Sequence, residues 1–172
     1  IEHGVLRPVL PEIASTERLA ALIAAESAAG ISGDPIRRLA ALLPADPEVA
    51  ASVGARLRLS KRQASRLASA ARDARDAPEI LAYEIGTEEA VDRFLLAGET
   101  GLDLKSLQRW QRPRLPIGGG DLIAMGLEAG PIVARTMQAI EREWVRSGFP
   151  ADKEKVRALA RRHVDQALLA RQ

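Results

Sequence analysis

The stretch Ser60–Ala71, SKRQASRLASAA, decides the fold class of the whole chain. Ser60 and Gln63 stand three residues apart, the spacing of a capping box, in which each side chain satisfies the other residue's backbone amide. Small and apolar residues then recur at helical spacing on one face: Ala64, Leu67, Ala68 and Ala71. The stretch therefore predicts an α-helix that begins immediately after Ser60.

The same helix signals recur on both sides of this stretch. Aspartate before proline places a capping carboxylate ahead of a residue whose missing N–H costs nothing at the first helical position. The candidate helix starts are Asp34, Asp46, Thr87, Pro131 and Asp152, with a further short helix within 102–110. We expect an all-α fold, an irregular array of about eight to ten short helices with no sheet.

Composition agrees with a helical core. The chain has 172 residues, of which 47% are hydrophobic and 3% aromatic, so Ala, Leu, Ile and Val must supply most of the packing. It contains no cysteine, which excludes disulfides and thiolate-bound zinc. No apolar run approaches the roughly 18 residues of a membrane span. From the lack of cysteine and of a membrane span we expect a cytoplasmic location without a membrane partner, and from the start at Ile1 we expect a piece of a longer protein.

One segment has the composition of a joint between domains. Residues 111–120 bring together Pro113, Pro116 and three consecutive glycines. Proline and glycine interrupt helices more strongly than any other residues. We therefore expect two helical regions, a body over residues 1–110 and a tail over residues 111–172.

The glycines at 118–120 raise the possibility of a phosphate-binding loop. A P-loop requires Lys-Ser or Lys-Thr after its last glycine, and the dinucleotide fingerprint requires a third spaced glycine and a preceding strand. Neither pattern is present, so we expect Gly120 to enter a short helix capped by Asp121 and ended by Gly126 in a left-handed conformation. In the functional alternative, exposed amides at Gly119 and Gly120 hold a backbone phosphate of RNA.

Two runs of basic residues are candidate contacts for nucleic acid. The first contains no acid between residues 104 and 120, and its members are Lys105, Arg109, Arg112 and Arg114. The second consists of Arg58, Arg62 and Arg66, whose spacing of four predicts one shared helix face. Arginine pairs well with phosphate, although a charged run is more often only a solvated face. The net charge of +2 does not by itself demand a polyanion.

Catalytic patterns are missing from the sequence. There is no D-x-D pair for two-metal phosphoryl transfer, no cysteine nucleophile and no G-x-S-x-G elbow. Glu88 and Asp92 share a predicted helix face, but acids are ordinary near a helix start. His163 lies at a half-buried helical position, where a hydrogen-bonded structural role is expected. We assign no catalytic residue and no metal ligand to this chain.

The order of these motifs resembles a known family. The stretch LPIGGGDLIAMGLEAGPIVARTMQAIEREWVRSGFPADKEKVRALA, residues 115–160, is similar to the tail of bacterial CCA-adding tRNA nucleotidyltransferases and the related poly(A) polymerases. There a Gly-Asp-Leu helix, a Gly-Pro helix start and a Gly-Phe-Pro turn with a following Asp occur in the same order. Residues 4–13, 34–43 and 57–67 similarly resemble the body that follows the family's neck.

The resemblance implies an RNA-binding C-terminal fragment that grips tRNA through its phosphate backbone. In the family a catalytic head binds Mg²⁺ and a neck selects CTP or ATP, so these cofactors are expected only with a head that this sequence does not contain. A poly(A) polymerase is the nearest alternative, and a helical protein-interaction module is the alternative of another class. The expected partner is tRNA or another RNA 3′ end, not DNA.

Overall fold

The computed structural model describes residues 5–13, 15–99 and 101–170. These residues form ten α-helices and no strand, which confirms the all-α prediction. In chain order the helices are α1 (Glu17–Ala29), α2 (Pro35–Leu42), α3 (Pro47–Arg56), α4 (Lys61–Ala70), α5 (Pro78–Ile85), α6 (Thr87–Ala97), α7 (Leu104–Arg109), α8 (Gly119–Ala124), α9 (Pro131–Arg146) and α10 (Lys153–Leu169).

Most of the predicted helix starts are confirmed by their caps. The capping box is complete, because Ser60 Oγ accepts from the Gln63 amide at 3.3 Å and Gln63 Oε1 accepts from the Ser60 amide at 3.1 Å. The carboxylates of Asp34, Asp46 and Asp152 each accept from two amides in the first turn of the helix that follows. Local side-chain chemistry therefore sets where these four helices begin.

Two predicted caps are wrong by a few residues. Thr87 is the first residue of α6 and the cap position is Gly86, whose φ of +93° favours glycine. Asp121 is the third residue of α8, and its carboxylate accepts from the amide of Gly118, the residue at the cap position. Gly126 follows α8 with φ +111°, as predicted. Both errors arise because glycine can occupy a cap position without a side chain.

The described chain divides into two compact units, Ile1–Trp110 and Gln111–Gln172. In the first unit, α1 to α7 pack around apolar residues from every helix. α3 and α4 approach closely enough that a Cβ added at Gly54 would lie 3.3 Å from Cβ of Ala64. Its most deeply buried large side chains are Leu22, Val53, Leu67, Val91 and Asp92. The last of these is an acid, and its surroundings are described below.

The second unit consists of α8, α9 and α10. Its core is formed by Leu122, Ile140, Trp144, Val156, Leu159, Ala160 and Val164. The ring of Trp144 meets Phe149 edge to face at 5.2 Å, and its Nε1 donates to the carbonyl of Pro150 at 3.0 Å. These contacts fix the turn between α9 and α10, so the outer face of α9 has a defined orientation in this unit.

Candidate nucleic-acid interface

The two units carry charges of opposite sign. The first contains 14 Lys and Arg against 16 Asp and Glu, a formal charge of −2. The second contains 11 against 7, a formal charge of +4. The net charge of the whole chain is therefore the sum of a slightly acidic unit and a basic unit. A polyanion would meet a more favourable electrostatic potential at the basic unit than at the acidic one.

Lys105 and Arg109 lie together on α7 of the first unit. Both are exposed and stand four residues apart, so they share a face as predicted. Asp103 caps this helix, and its hydrogen bonds from the Ser106 hydroxyl and amide, together with the charge of Arg109, hold the pKa of that carboxyl below its usual value. The Lys105 side chain lies over Gly30, the residue that ends α1.

Arg112 and Arg114 lie in the second unit, on the irregular segment before α8. Both are exposed. The boundary after Trp110 divides the predicted basic run, so its four members are placed two in each unit. Their contact with RNA stays a prediction.

The glycines at the start of α8 have a structural explanation. A Cβ added at Gly119 would lie 3.1 Å from Cγ1 of Val133, so glycine allows α8 to approach α9. The Asp121 carboxylate accepts a hydrogen bond from the Gly118 amide at 2.7 Å and places a negative charge beside Gly120. A phosphate at Gly119 and Gly120 would meet that charge, and the proposed backbone contact there stays a prediction.

The second basic run does not form one helix face. Arg58 precedes the Ser60 cap with φ +52°, so it lies outside α4 and cannot align with Arg62 and Arg66. Arg58 is exposed and forms no ion pair with a described residue. The Arg62 side chain is 85% exposed and bonds Glu88 at 2.9 Å. These two arginines remain accessible to a ligand.

Arg66 does not belong to the accessible set, because it is buried in a cluster of charges. Its Nε lies 2.6 Å from Oδ2 of Asp92, and Arg37 Nε lies 2.7 Å from the other carboxylate oxygen. Asp34 and Glu88 complete the partners of the Arg66 guanidinium. Every nitrogen of Arg66 thus bonds a carboxylate, so a contact with RNA would require these ion pairs to break, and that contact stays a prediction.

We call this group the buried charge cluster after its four buried members, Glu26, Arg37, Arg66 and Asp92. Ion pairs join them to four partly or largely exposed side chains at its edge: Arg38, Arg62, Asp34 and Glu88. Burial opposes the charged form of Arg66, but its hydrogen bond to Asp92 and the surrounding carboxylates raise its pKa above the ordinary value. Burial likewise raises the pKa of Asp34, yet the Arg37 amide and the Arg66 charge outweigh it and lower that pKa overall.

A row of arginines on α9 was missed by the sequence reasoning. Arg135, Arg142 and Arg146 are spaced by seven and four residues, so they project from one face of this helix over about 16 Å. All three are exposed, and none forms an ion pair with a described residue. The spacing of seven and four residues is present in the sequence. A search for basic runs without acids does not find this row, because Glu141 and Glu143 lie between its members.

His163 has the structural role expected of it. Its side chain is 19% exposed, and Nε2 lies 2.8 Å from Oε2 of Glu143 on the neighbouring helix. Arg162 bonds the other oxygen of the same carboxylate at 2.8 Å. The hydrogen bond with His163, helped by the charge of Arg162, lowers the pKa of Glu143. This contact joins α9 to α10 and involves none of the three arginines of the row.

Across the ranges 5–13, 15–99 and 101–170, no group of three or more His, Asp or Glu side chains is placed so that it could hold a metal ion. Within the same residues, no helix combines the length and apolar character needed to cross a membrane.

Comparison with known proteins finds partial similarity to two tRNA nucleotidyltransferases. One match is the mitochondrial CCA tRNA nucleotidyltransferase 1 of Mus musculus, 32% identical over 59 residues, which cover 34% of this chain and 13% of the mouse protein. Part of this chain is similar to CCA tRNA nucleotidyltransferases. The Homo sapiens protein of the same name is 28% identical over 53 residues, 31% of this chain and 12% of the human protein. No protein-family model matches the chain.

Proposed function

We propose that this chain is the RNA-binding region of a tRNA nucleotidyltransferase that adds CCA to tRNA 3′ ends. In this proposal the chain holds tRNA through its phosphate backbone, and the binding of Mg²⁺, CTP and ATP belongs to a catalytic head outside it. The similarity to the mouse and human enzymes supports this assignment, although the matched stretches span only 13% and 12% of their lengths.

The arginine row on α9 is the observation that carries the proposal. Three exposed guanidinium groups, none of which pairs with a carboxylate of a described residue, lie on one helix face in the unit with a formal charge of +4. Cations already paired with acids must break those pairs to bind phosphate, whereas the arginines of this row need not. Each cation that neutralises a phosphate releases counterions, which makes binding steeply dependent on salt.

The test is a titration of tRNA with the 172-residue chain between 50 and 200 mM salt, followed by fluorescence anisotropy. Replacing Arg135, Arg142 and Arg146 together by Gln is expected to weaken binding and to reduce the slope of log K against log salt by about 2 to 3. Each lost phosphate contact removes a little under one unit of slope.

A matched control removes the same total charge from paired arginines. Arg56, Arg75 and Arg162 each bond a nearby carboxylate at 2.6–2.8 Å, so their joint replacement by Gln should change the slope far less. Equal salt slopes for the two triple variants would show that binding depends only on the net charge of the chain, and would refute the role of the arginine row. A chain that binds no tRNA at 50 mM salt would refute the proposed function itself.

The basic residues identified in the sequence are tested separately. Joint replacement of Lys105, Arg109, Arg112 and Arg114 by Ala tests the first run, and replacement of Arg58 and Arg62 tests the accessible part of the second. Each set contributes to tRNA binding if its removal lowers the salt slope in proportion to its exposed charges. A CCA or poly(A) product, assayed with a protein that includes the catalytic head, distinguishes the two related enzyme activities.

A further inference from the structure

Two glutamates lie on α9 among the arginines of the row. Side chains three or four residues apart on a helix are neighbours, and an acid and a base at that spacing can form an ion pair. Arg135 and Arg142 have no acid at either spacing within α9, and Glu141 has no base. Glu143 stands three residues before Arg146. Within α9, Glu143 is therefore the acid that could neutralise a member of the row.

The structure directs the Glu143 carboxylate to α10 and not to Arg146. Its Oε1 accepts from Nη2 of Arg162 at 2.8 Å, and its Oε2 lies 2.8 Å from Nε2 of His163. Arg146 is exposed and forms no ion pair with a described residue. Each oxygen of the carboxylate thus has a partner on the neighbouring helix, and the pair that the spacing within α9 permits is not formed.

We propose that Arg162 and His163 are positioning residues, which hold the Glu143 carboxylate against α10 and thereby keep Arg146 available to an RNA phosphate. The inference rests on the proposed function, in which the arginine row binds RNA. A guanidinium that pairs with a carboxylate must break that pair before it can bind phosphate. An acid released beside the row would also repel the phosphate directly.

The two contacts on α10 explain why the carboxylate does not turn back along α9. An exposed ion pair gains little, because ordering two long side chains in one geometry costs entropy. On α10 one carboxylate satisfies two groups at once, and the His163 side chain is only 19% exposed. Either partner alone still engages one oxygen, so release requires that both be replaced. The control set of paired arginines, which includes Arg162 but not His163, therefore leaves the carboxylate held.

The first test repeats the tRNA titration with variants of the 172-residue chain. Joint replacement of Arg162 and His163 by Gln should weaken tRNA binding about twofold, the effect of an exposed pair at helical spacing that competes for Arg146. Adding Glu143→Gln to this double variant should restore the affinity, because the released acid is then absent.

The matched control adds Glu154→Gln to the double variant instead, which gives the same net charge. Glu154 is exposed in the first turn of α10 and forms no ion pair with a described residue. This control should keep the weakened binding. Equal recovery with Glu143→Gln and Glu154→Gln would show that only net charge matters. Affinity that stays low after Glu143→Gln would show that loss of the contact has loosened the unit. Either result would overturn the proposal.

The second test needs no RNA. The Nε–H NMR signal of Arg146 should shift when Arg162 and His163 are both replaced by Gln, and should return when Glu143→Gln is added. An unchanged signal in the double variant would refute the release of Glu143 toward Arg146. A chain that binds no tRNA would refute the proposed function instead, and this signal would still decide whether the two partners on α10 hold the carboxylate.

Discussion

Replacement of Asp92 by Asn is expected to destabilise the first unit strongly. The carboxylate is 0% exposed and accepts three hydrogen bonds, from Arg37 Nε at 2.7 Å and from Arg66 Nε and Nη2 at 2.6 and 3.0 Å. Asparagine keeps the shape of the side chain but removes its charge and turns one acceptor into a donor that faces a guanidinium. Two buried arginines then lose the anion that they share.

The magnitude follows from the burial of both partners. Removing one member of a buried ion pair costs about 3–5 kcal/mol, because the remaining charge stays away from water without compensation. Since the other carboxylates of the cluster still bond both arginines, we expect a loss at the lower end, about 3 kcal/mol. That is a large part of the roughly 5–15 kcal/mol by which a typical domain is stable.

Urea unfolding followed by far-UV circular dichroism provides the measurement, since seven of the ten helices among the described residues lie in the first unit. Asp76→Asn is the matched control, because Asp76 is exposed and forms no ion pair with a described residue. The control should change the free energy of unfolding by less than about 0.5 kcal/mol. A loss below 1 kcal/mol for Asp92→Asn would show that the cluster does not contribute as its geometry implies.

Three further substitutions test local features by the same unfolding assay. Ser60→Ala should cost about 1 kcal/mol through loss of the capping box, whereas Ser65→Ala at an exposed position within α4 should be nearly neutral, and equal effects would contradict the cap. Gly126→Ala should cost about 1 kcal/mol or more, because φ +111° strains any residue with a Cβ, and a neutral result would rule out that strain. The lowered pKa of Asp34 predicts stability that is present above about pH 4 and lost as the pH falls through its folded value; Asp34→Asn should flatten this acid limb, and an unchanged pH profile would contradict it.

The helix starts were predictable because they depend on residues close together in the chain. Ser60 and Gln63 are three residues apart, and Asp34 contacts amides two and three residues further on. Such contacts can be derived from sequence spacing and side-chain chemistry alone. The cap predicted at Thr87 was wrong because Gly86 occupies the cap position. Glycine does so through its backbone conformation alone, and no side chain marks the position in the sequence.

The burial of Arg66 among carboxylates could not be predicted from the sequence, because one of its main partners lies far along the chain. Asp92 follows it by 26 residues and meets it only when α4 packs against α6. Spacing of four also placed Arg58 on the same face as Arg62, although the cap at Ser60 already implied that the helix begins after Arg58. The spacing of the arginines on α9 could be read from the sequence. That Arg142 pairs with no acid in the described part of the chain, although Glu141 and Glu143 flank it, could be seen only in the folded structure.

The buried charge cluster also determines how the first unit can open. Its eight side chains come from α1, α2, α4, α6 and the cap residue of α2, Asp34, so displacement of any one of these helices leaves a charge without its counterion in the interior. Partial opening is therefore nearly as costly as complete opening, and these four helices should behave as one cooperative element. Native-state hydrogen exchange would then report the same protection free energy for all four, while α7, which contributes no member, could fray independently.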